Sequence, residues 1–263
     1  MSASVRFELH DRVATLTLDR PEKLNAFTDD MLASLVARID ECAARADVGA
    51  VVLTGAGRGF CSGGDVSQMG ATADNTPHRT KNYIDDVIQA FPKRLATFDK
   101  PVIAAVNGVA TGGGLDLALA CDIRLAAASA RFAETYARIG LLPGGGGAWF
   151  LPHLVGRAWA LELLLGAEFI DAETALRIGL VNHVYPDAAL ADAAQALAAR
   201  MAALPPLSIR LIKRAVDHAL SGADMASCLD LVASNIAIAK AGPDHAEAIA
   251  AFHAKRTGNY RGY

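Results

Sequence analysis

Val102-Ile103-Ala104-Ala105-Val106-Asn107-Gly108-Val109-Ala110-Thr111-Gly112-Gly113-Gly114-Leu115-Asp116-Leu117 is the stretch on which the fold turns. Five small or branched apolar residues read as a strand buried on both faces, and the segment after the glycines reads as a helix. Three consecutive glycines at the junction leave backbone N–H groups uncovered, because no Cβ stands in front of them. The first N–H groups of a helix have no intrahelical acceptor and carry the positive end of its dipole. The corner can therefore receive a negative oxygen, with the Asp116 carboxylate about one turn further in. A tight strand-to-helix packing corner is the competing reading.

Outward from that corner, strands and helices alternate. Val5–Leu9 and Val13–Leu18 keep a period of two around His10-Asp11-Arg12 and read as a hairpin. Thr28 is placed to cap a helix running to about Ala46, and Ala50–Thr54 is a second buried strand. That strand enters another glycine-rich loop, Gly55-Ala56-Gly57-Arg58-Gly59-Phe60-Cys61-Ser62-Gly63-Gly64-Asp65. A helix is expected from about Pro77 to Ala96, and a strand at Ile123–Ala127. A third glycine turn, Pro143 to Gly147, leads into helical Ala148–Leu154 and Ala158–Leu165. Alternating strands and helices predict an α/β fold with parallel pairing. From about Ala188 the pattern is helical throughout, broken at Pro205-Pro206 and Gly242-Pro243, so residues 1–187 are expected as the core and 188–263 as a helical lobe.

Composition narrows the function classes. Of 263 residues, 52% are hydrophobic and 20% charged, and the net charge is −3, which gives no electrostatic case for nucleic acid or an anionic membrane. No apolar run approaches the ~20 residues of a membrane span. Residues 1–7 lack the basic start and apolar centre of a secretion signal. The four cysteines, Cys42, Cys61, Cys121 and Cys228, are scattered and suit reduced thiols. The expectation is a soluble cytoplasmic protein. Seven histidines form no closely spaced pair, so no metal site is expected.

Known glycine-loop chemistries fit poorly. Gly55-x-Gly57-x-Gly59 misplaces the third glycine of a dinucleotide fingerprint, and no Gly-Lys-Ser/Thr follows as a phosphate loop requires. Ser62 lacks the spacing of a hydrolase elbow. Two glycine turns that each present one N–H to one oxygen remain, and each such donor is worth about 2.7–4 kcal/mol in a transition state.

Six motifs in order carry a resemblance: Arg20-Pro-Glu-Lys-Leu-Asn-Ala26, Gly59-Phe-Cys-Ser-Gly-Gly-Asp65, Lys100 to Gly108, Gly112-Gly-Gly-Leu-Asp116, Ala120-Cys-Asp-Ile-Arg124 and Gly179-Leu-Val-Asn182. The chain resembles the crotonase superfamily, the enoyl-CoA hydratase/isomerase group, over essentially its whole length. The resemblance implies a spiral of repeated ββα units with a C-terminal helical lobe that covers the active site and mediates assembly into trimers or dimers of trimers. It implies an acyl-CoA thioester substrate, with coenzyme A belonging to the substrate and no further cofactor. Gly64 and Gly113 would hold the thioester oxygen as it becomes an enolate. Ala26 and the segment Ser62, Gly63, Asp65, Val66, Ser67 would line the coenzyme A path, and Lys255 would meet a phosphate. Surface lysine is the plainer reading of Lys255.

The resemblance also exposes a departure. Typical hydratases carry two glutamates; Asp116 stands at the first of these positions and Tyr136 at the second. Tyrosine, with a reference pKa near 10, is a poor general base at neutral pH. Glu134, two residues earlier, would share the face of Tyr136 if that segment is extended, and is a candidate displaced acid; a structural carboxylate is the competing reading. The aspartate that some isomerase-like branches place after Leu-Pro is here Gly144. Hydration or double-bond isomerisation through Asp116 is the leading expectation. A non-catalytic acyl-CoA-binding member or a thioester hydrolase is the alternative. Trp149 and Phe150 are expected in core packing rather than in the acyl wall, and His78 in an exposed loop.

Overall fold

Alternating hydrophobicity at the start of the chain builds an antiparallel hairpin, β1 (Val5–His10) with β2 (Val13–Leu18), paired from Val5 opposite Leu18 to His10 opposite Val13. The computed structural model describes residues 4–65 and 76–262. Thr28 caps α1 (Asp29–Ala44) as expected, its hydroxyl accepting from the Met31 amide at 3.3 Å. After it come β3 (Ala50–Gly55) and a short β4 (Gly59–Cys61). The helix expected over 77–96 is three pieces: α2 (Pro77–Tyr83), one π-helical turn (Ile84–Ile88) and α3 (Ala90–Leu95).

The decisive stretch forms β5 (Val102–Val106), a short β6 (Val109–Thr111) and α4 (Gly113–Leu119). Next come β7 (Ile123–Ala127), β8 (Arg131–Ala133), α5 (Gly147–Gly166), β9 (Ile170–Asp171), α6 (Ala172–Arg177) and β10 (His183–Tyr185). Gly156, at φ 75°, interrupts α5 where the sequence separates two helical stretches. Four helices close the chain: α7 (Leu190–Ala202), α8 (Pro206–Leu220), α9 (Met225–Ala241) and α10 (Pro243–His253).

Two sheets result. The five long strands and the short β10 form a six-stranded sheet in the order β1-β2-β3-β5-β7-β10, parallel from β2 onward. The other short strands form a second sheet, β4-β6-β8-β9, parallel except for the last pair. From β3 onward each consecutive pair of strands thus gives one strand to each sheet, which is the ββα spiral. The short strands were hidden in the sequence because three residues among glycines carry no measurable period.

Every residue of β5 is buried, as a strand with parallel neighbours on both sides demands. α1 and α7 pack on the large sheet, α7 through Leu190, Ala194, Ala198 and Ala202. α4 is buried at every residue, so Asp116 lies inside the molecule. The outer helices α8–α10 pack on one another and contain few buried side chains.

Candidate active site

Strand register builds the site. Cys61 pairs with Ala110 across β4 and β6, so the chain leaving β4 passes the chain leaving β6. Thr111 pairs with Ala133 across β6 and β8, and the Gly112 amide donates to the Ala133 carbonyl at 2.9 Å. Glu134 therefore emerges beside the glycine corner. Thr135 (φ −90°, ψ 5°) ends the extended run, and Tyr136 begins a short 3-10 turn. Glu134 and Tyr136 reach the corner from a turn, not from one face of a strand.

The glycines make the close approach possible. Gly112 caps α4 at φ 51°, ψ −127°, a conformation open in practice to glycine alone. A Cβ on Gly114 would overlap the Cys61 carbonyl. A Cβ on Gly63, itself at φ 93°, would lie 3.6 Å from the Gly113 nitrogen, so the two glycine turns abut. Phe27 and Gly64 form a parallel bridge through the Phe27 amide to Gly63 O (2.8 Å) and the Asp65 amide to Phe27 O (3.0 Å). Neither bond uses the Gly64 N–H. Gly113 is the first residue of α4, where an N–H has no intrahelical acceptor.

Asp116 is 2% exposed. Its Oδ2 accepts from the Tyr136 hydroxyl at 2.6 Å and from the Gly145 amide at 3.0 Å. Its Oδ1 is buried with no hydrogen-bond partner among the described residues. Burial raises the Asp116 carboxyl from its usual 3.8 to about 6, against the lowering pull of Tyr136 and the amides of Gly145 and Gly147. Glu134 is fully buried, and neither of its oxygens has a partner among the described residues. Burial first, and then the charge of Asp116, hold its carboxyl well above the ordinary value. Burial and the same charge push the Tyr136 phenol upward. A Cβ on Gly147 would sit 2.5 Å from Asp116 Oδ1 and 2.9 Å from Glu134 Oε1. Both carboxyls thus face the space that this glycine leaves.

The turn Pro143–Gly147 is what the sequence reading undervalued. It was legible as a helix entrance, but Gly145 supplies an amide to Asp116 and Gly147 supplies room for two carboxyls. Four glycines in a row, more than any single turn requires, were the available signal.

Other expected residues lie nearby in a different state. Asp65 pairs with Arg20 at 3.0 Å, and Arg20 also donates to the Ala26 carbonyl at 2.6 Å. Asn25, fully buried, accepts from the Arg20 amide and donates to Ala56 O and Gly59 O. Ser62 donates to Lys23 O at 3.2 Å. The structure thus brings Ala26, Ser62, Gly63 and Asp65 together as one clamped pair of loops. Val66 and Ser67 lie outside the described residues. Lys255 follows α10 on the surface at φ 50°. Arg124 and Asn182, from two further motifs, tie β7 to the Leu180 region and have no place in the site. Trp149 is 53% exposed, meets Phe150 edge to face and lies tilted over His153 instead of entering the core. His78 lies exposed in the first turn of α2. Among the described residues no cluster of His, Cys, Asp and Glu is arranged to hold a metal, and no helix is long and apolar enough to cross a membrane.

A sequence model described as Enoyl-CoA hydratase/isomerase matches residues 8–262. The chain belongs to that family. It is 39% identical to the 1,2-epoxyphenylacetyl-CoA isomerase of Escherichia coli, with 95% of each chain covered. It is 37% identical to the short-chain-enoyl-CoA hydratase of Clostridium acetobutylicum, over 96% of this chain and 95% of the relative. A crystal structure of an enoyl-CoA hydratase from Bacillus anthracis superposes with a TM-score of 0.92 at 30% identity, covering 99% of this chain and 100% of that one. Membership of this crotonase-type family accounts for the two-sheet spiral. The relatives' names include both hydratases and an isomerase, so the family alone does not choose the reaction at Asp116.

Proposed function

We propose that this protein is an enoyl-CoA hydratase/isomerase: it binds an acyl-CoA thioester, holds its oxygen as an enolate, and moves a proton through Asp116. The observation that carries this reading is the divided Asp116 carboxylate. One oxygen is fixed by Tyr136 and Gly145, and the other is buried and uncommitted beside the Gly113 corner. A base held by one oxygen and free at the other is ready to take a proton from carbon or water. Its carboxyl, raised to about 6, is ionised near neutrality while remaining a stronger base than an exposed aspartate.

The N–H groups of Gly64 and Gly113 are the donors for the thioester oxygen, and they act most strongly where water is excluded. Removal of a Cα proton by Asp116 gives an enolate conjugated with the double bond. Return of that proton at Cγ moves the double bond and regenerates the carboxylate. Ala26 and the Ser62–Ser67 segment, with Gly63 and Asp65, line the coenzyme A path, and Lys255 meets a phosphate. No cofactor beyond the coenzyme A of the substrate is required.

The helices after residue 188 form the lobe that covers the site and joins copies. Its exposed apolar side chains, among them Met225 at 78% and Phe252 at 80%, support assembly as a homotrimer or a dimer of trimers. A cytoplasmic setting fits this chemistry.

The test is turnover of trans-2-enoyl-CoA and trans-3-enoyl-CoA, with product identification. Asp116→Asn is expected to lower both rates by about 100- to 10,000-fold, the range for losing a general acid-base group. Unchanged rates in that variant would overturn the assignment.

A further inference from the structure

We propose that Glu134 is the second carboxyl of the reaction, delivering the Cα proton when water adds across a 2-enoyl-CoA, and that Tyr136 is a positioning residue for Asp116. The inference rests on the enolate reading above and assigns hydration to this chain's own, displaced pair of acids.

Among the described residues, the other buried carboxylates are committed. Asp65 pairs with Arg20, and Asp244 accepts from the Arg261 and Gly262 amides. Glu134 differs: it is fully buried, and both oxygens lack a partner among the described residues. Burying an unpaired carboxyl is costly, so a purely architectural role gives no reason to keep one there. The third unpartnered carboxyl oxygen is Asp116 Oδ1, and it faces the same space above Gly147 as Glu134 Oε1. Two carboxyls thus converge with uncommitted oxygens on one place.

Tyr136 is placed at the family's second acid position but is otherwise engaged. Its single O–H donates to Asp116 Oδ2 at 2.6 Å, which fixes the carboxylate and leaves no second proton to give.

The step balances with these groups. A water on Asp116 Oδ1 gives that carboxylate a proton as its oxygen bonds to Cβ. The electron pair of the double bond moves onto the thioester oxygen, held by the Gly64 and Gly113 amides. Glu134 then gives its proton to Cα, and the enolate collapses to a 3-hydroxyacyl-CoA. Asp116 is left protonated and Glu134 ionised. Because both face one space, the proton passes from Asp116 to Glu134 and restores the starting pair.

Two rates measured on the same preparations test this: hydration of crotonyl-CoA, and isomerisation of trans-3-hexenoyl-CoA to its trans-2 isomer. Isomerisation needs only Asp116 and the oxyanion donors, because Asp116 takes the Cα proton and returns it at Cγ. Glu134→Gln is expected to lower hydration by about 100-fold or more while lowering isomerisation less than about tenfold. Tyr136→Phe is expected to lower the two rates in parallel. Hydration within tenfold of the unsubstituted protein in Glu134→Gln, or an equal fall in both rates, overturns the role of Glu134. Wild-type isomerisation without hydration also overturns it. Absence of both activities in the unsubstituted protein overturns the enolate reading itself. Glutamine is nearly isosteric with a protonated glutamate, and a thermal melt verifies that the variant is folded.

Discussion

The Arg20–Asp65 clamp and the Asp116–Glu134 pocket are both buried, polar and rich in glycine, yet they treat their polar groups in opposite ways. In the clamp, Asn25 makes three side-chain hydrogen bonds and the Asp65 carboxylate has its guanidinium. In the pocket, three carboxyl oxygens have no partner among the described residues. A satisfied buried polar group fixes geometry, whereas an unsatisfied one stores a demand that a substrate, water or proton can meet. Motifs that look equally striking in sequence thus divide into scaffold and chemistry according to whether their hydrogen bonds close.

The contrast can be broken most severely at Gly147. A methyl group there would lie within 2.9 Å of both carboxyls, and no positive φ forbids the substitution. Gly147→Ala is expected to cut kcat/KM by about 100-fold, the scale of an ~1 Å misplacement of catalytic groups. A steady-state assay would show it, and a small change in melting temperature would show that the fold survives.

The clamp should respond in the reverse sense. Asn25→Ala removes three hydrogen bonds worth about 1 kcal/mol each, so about 3 kcal/mol of stability is expected to go. Denaturant unfolding measures this loss. Activity per folded molecule should change far less than in Gly147→Ala, and a larger fall in activity than in stability would erase the distinction.

The smallest effect is expected from Tyr136→Phe. Its hydroxyl lowers the Asp116 carboxyl while burial raises it, so removing the hydroxyl raises that carboxyl further above about 6. Asp116 must be ionised to accept a proton. The acid limb of the pH–rate profile therefore moves to higher pH, with the plateau above it reduced only modestly. A limb that stays put, or moves down, would show that Asp116 is not the group being titrated.

Much of this was legible in the chain. The buried strand at Val102–Val106, the Thr28 cap, the break in α5 near Gly156 and both glycine corners follow from hydrophobic period, capping chemistry and backbone freedom. The short strands β4, β6 and β8 did not, because each is three residues long and takes its identity from its neighbours. Arg20, Asn25 and Arg124 were readable as motif residues but not as clamps, since each also bonds across the fold to a partner 31 to 56 positions away.

The sequence by itself determined an α/β alternation with two glycine turns and an aspartate one turn beyond the second, and its motifs carried the resemblance that implies the spiral. It also showed that the family's second glutamate position holds a tyrosine. Tertiary structure decided what takes part around that aspartate. The register of Thr111 on Ala133 sets Glu134 beside the corner, and the turn at Thr135 swings the Tyr136 hydroxyl onto Asp116. Gly147, 31 residues beyond Asp116, leaves the space that both carboxyls face. Those relations depend on strand pairing and on the absence of one Cβ, which no local pattern of residues encodes.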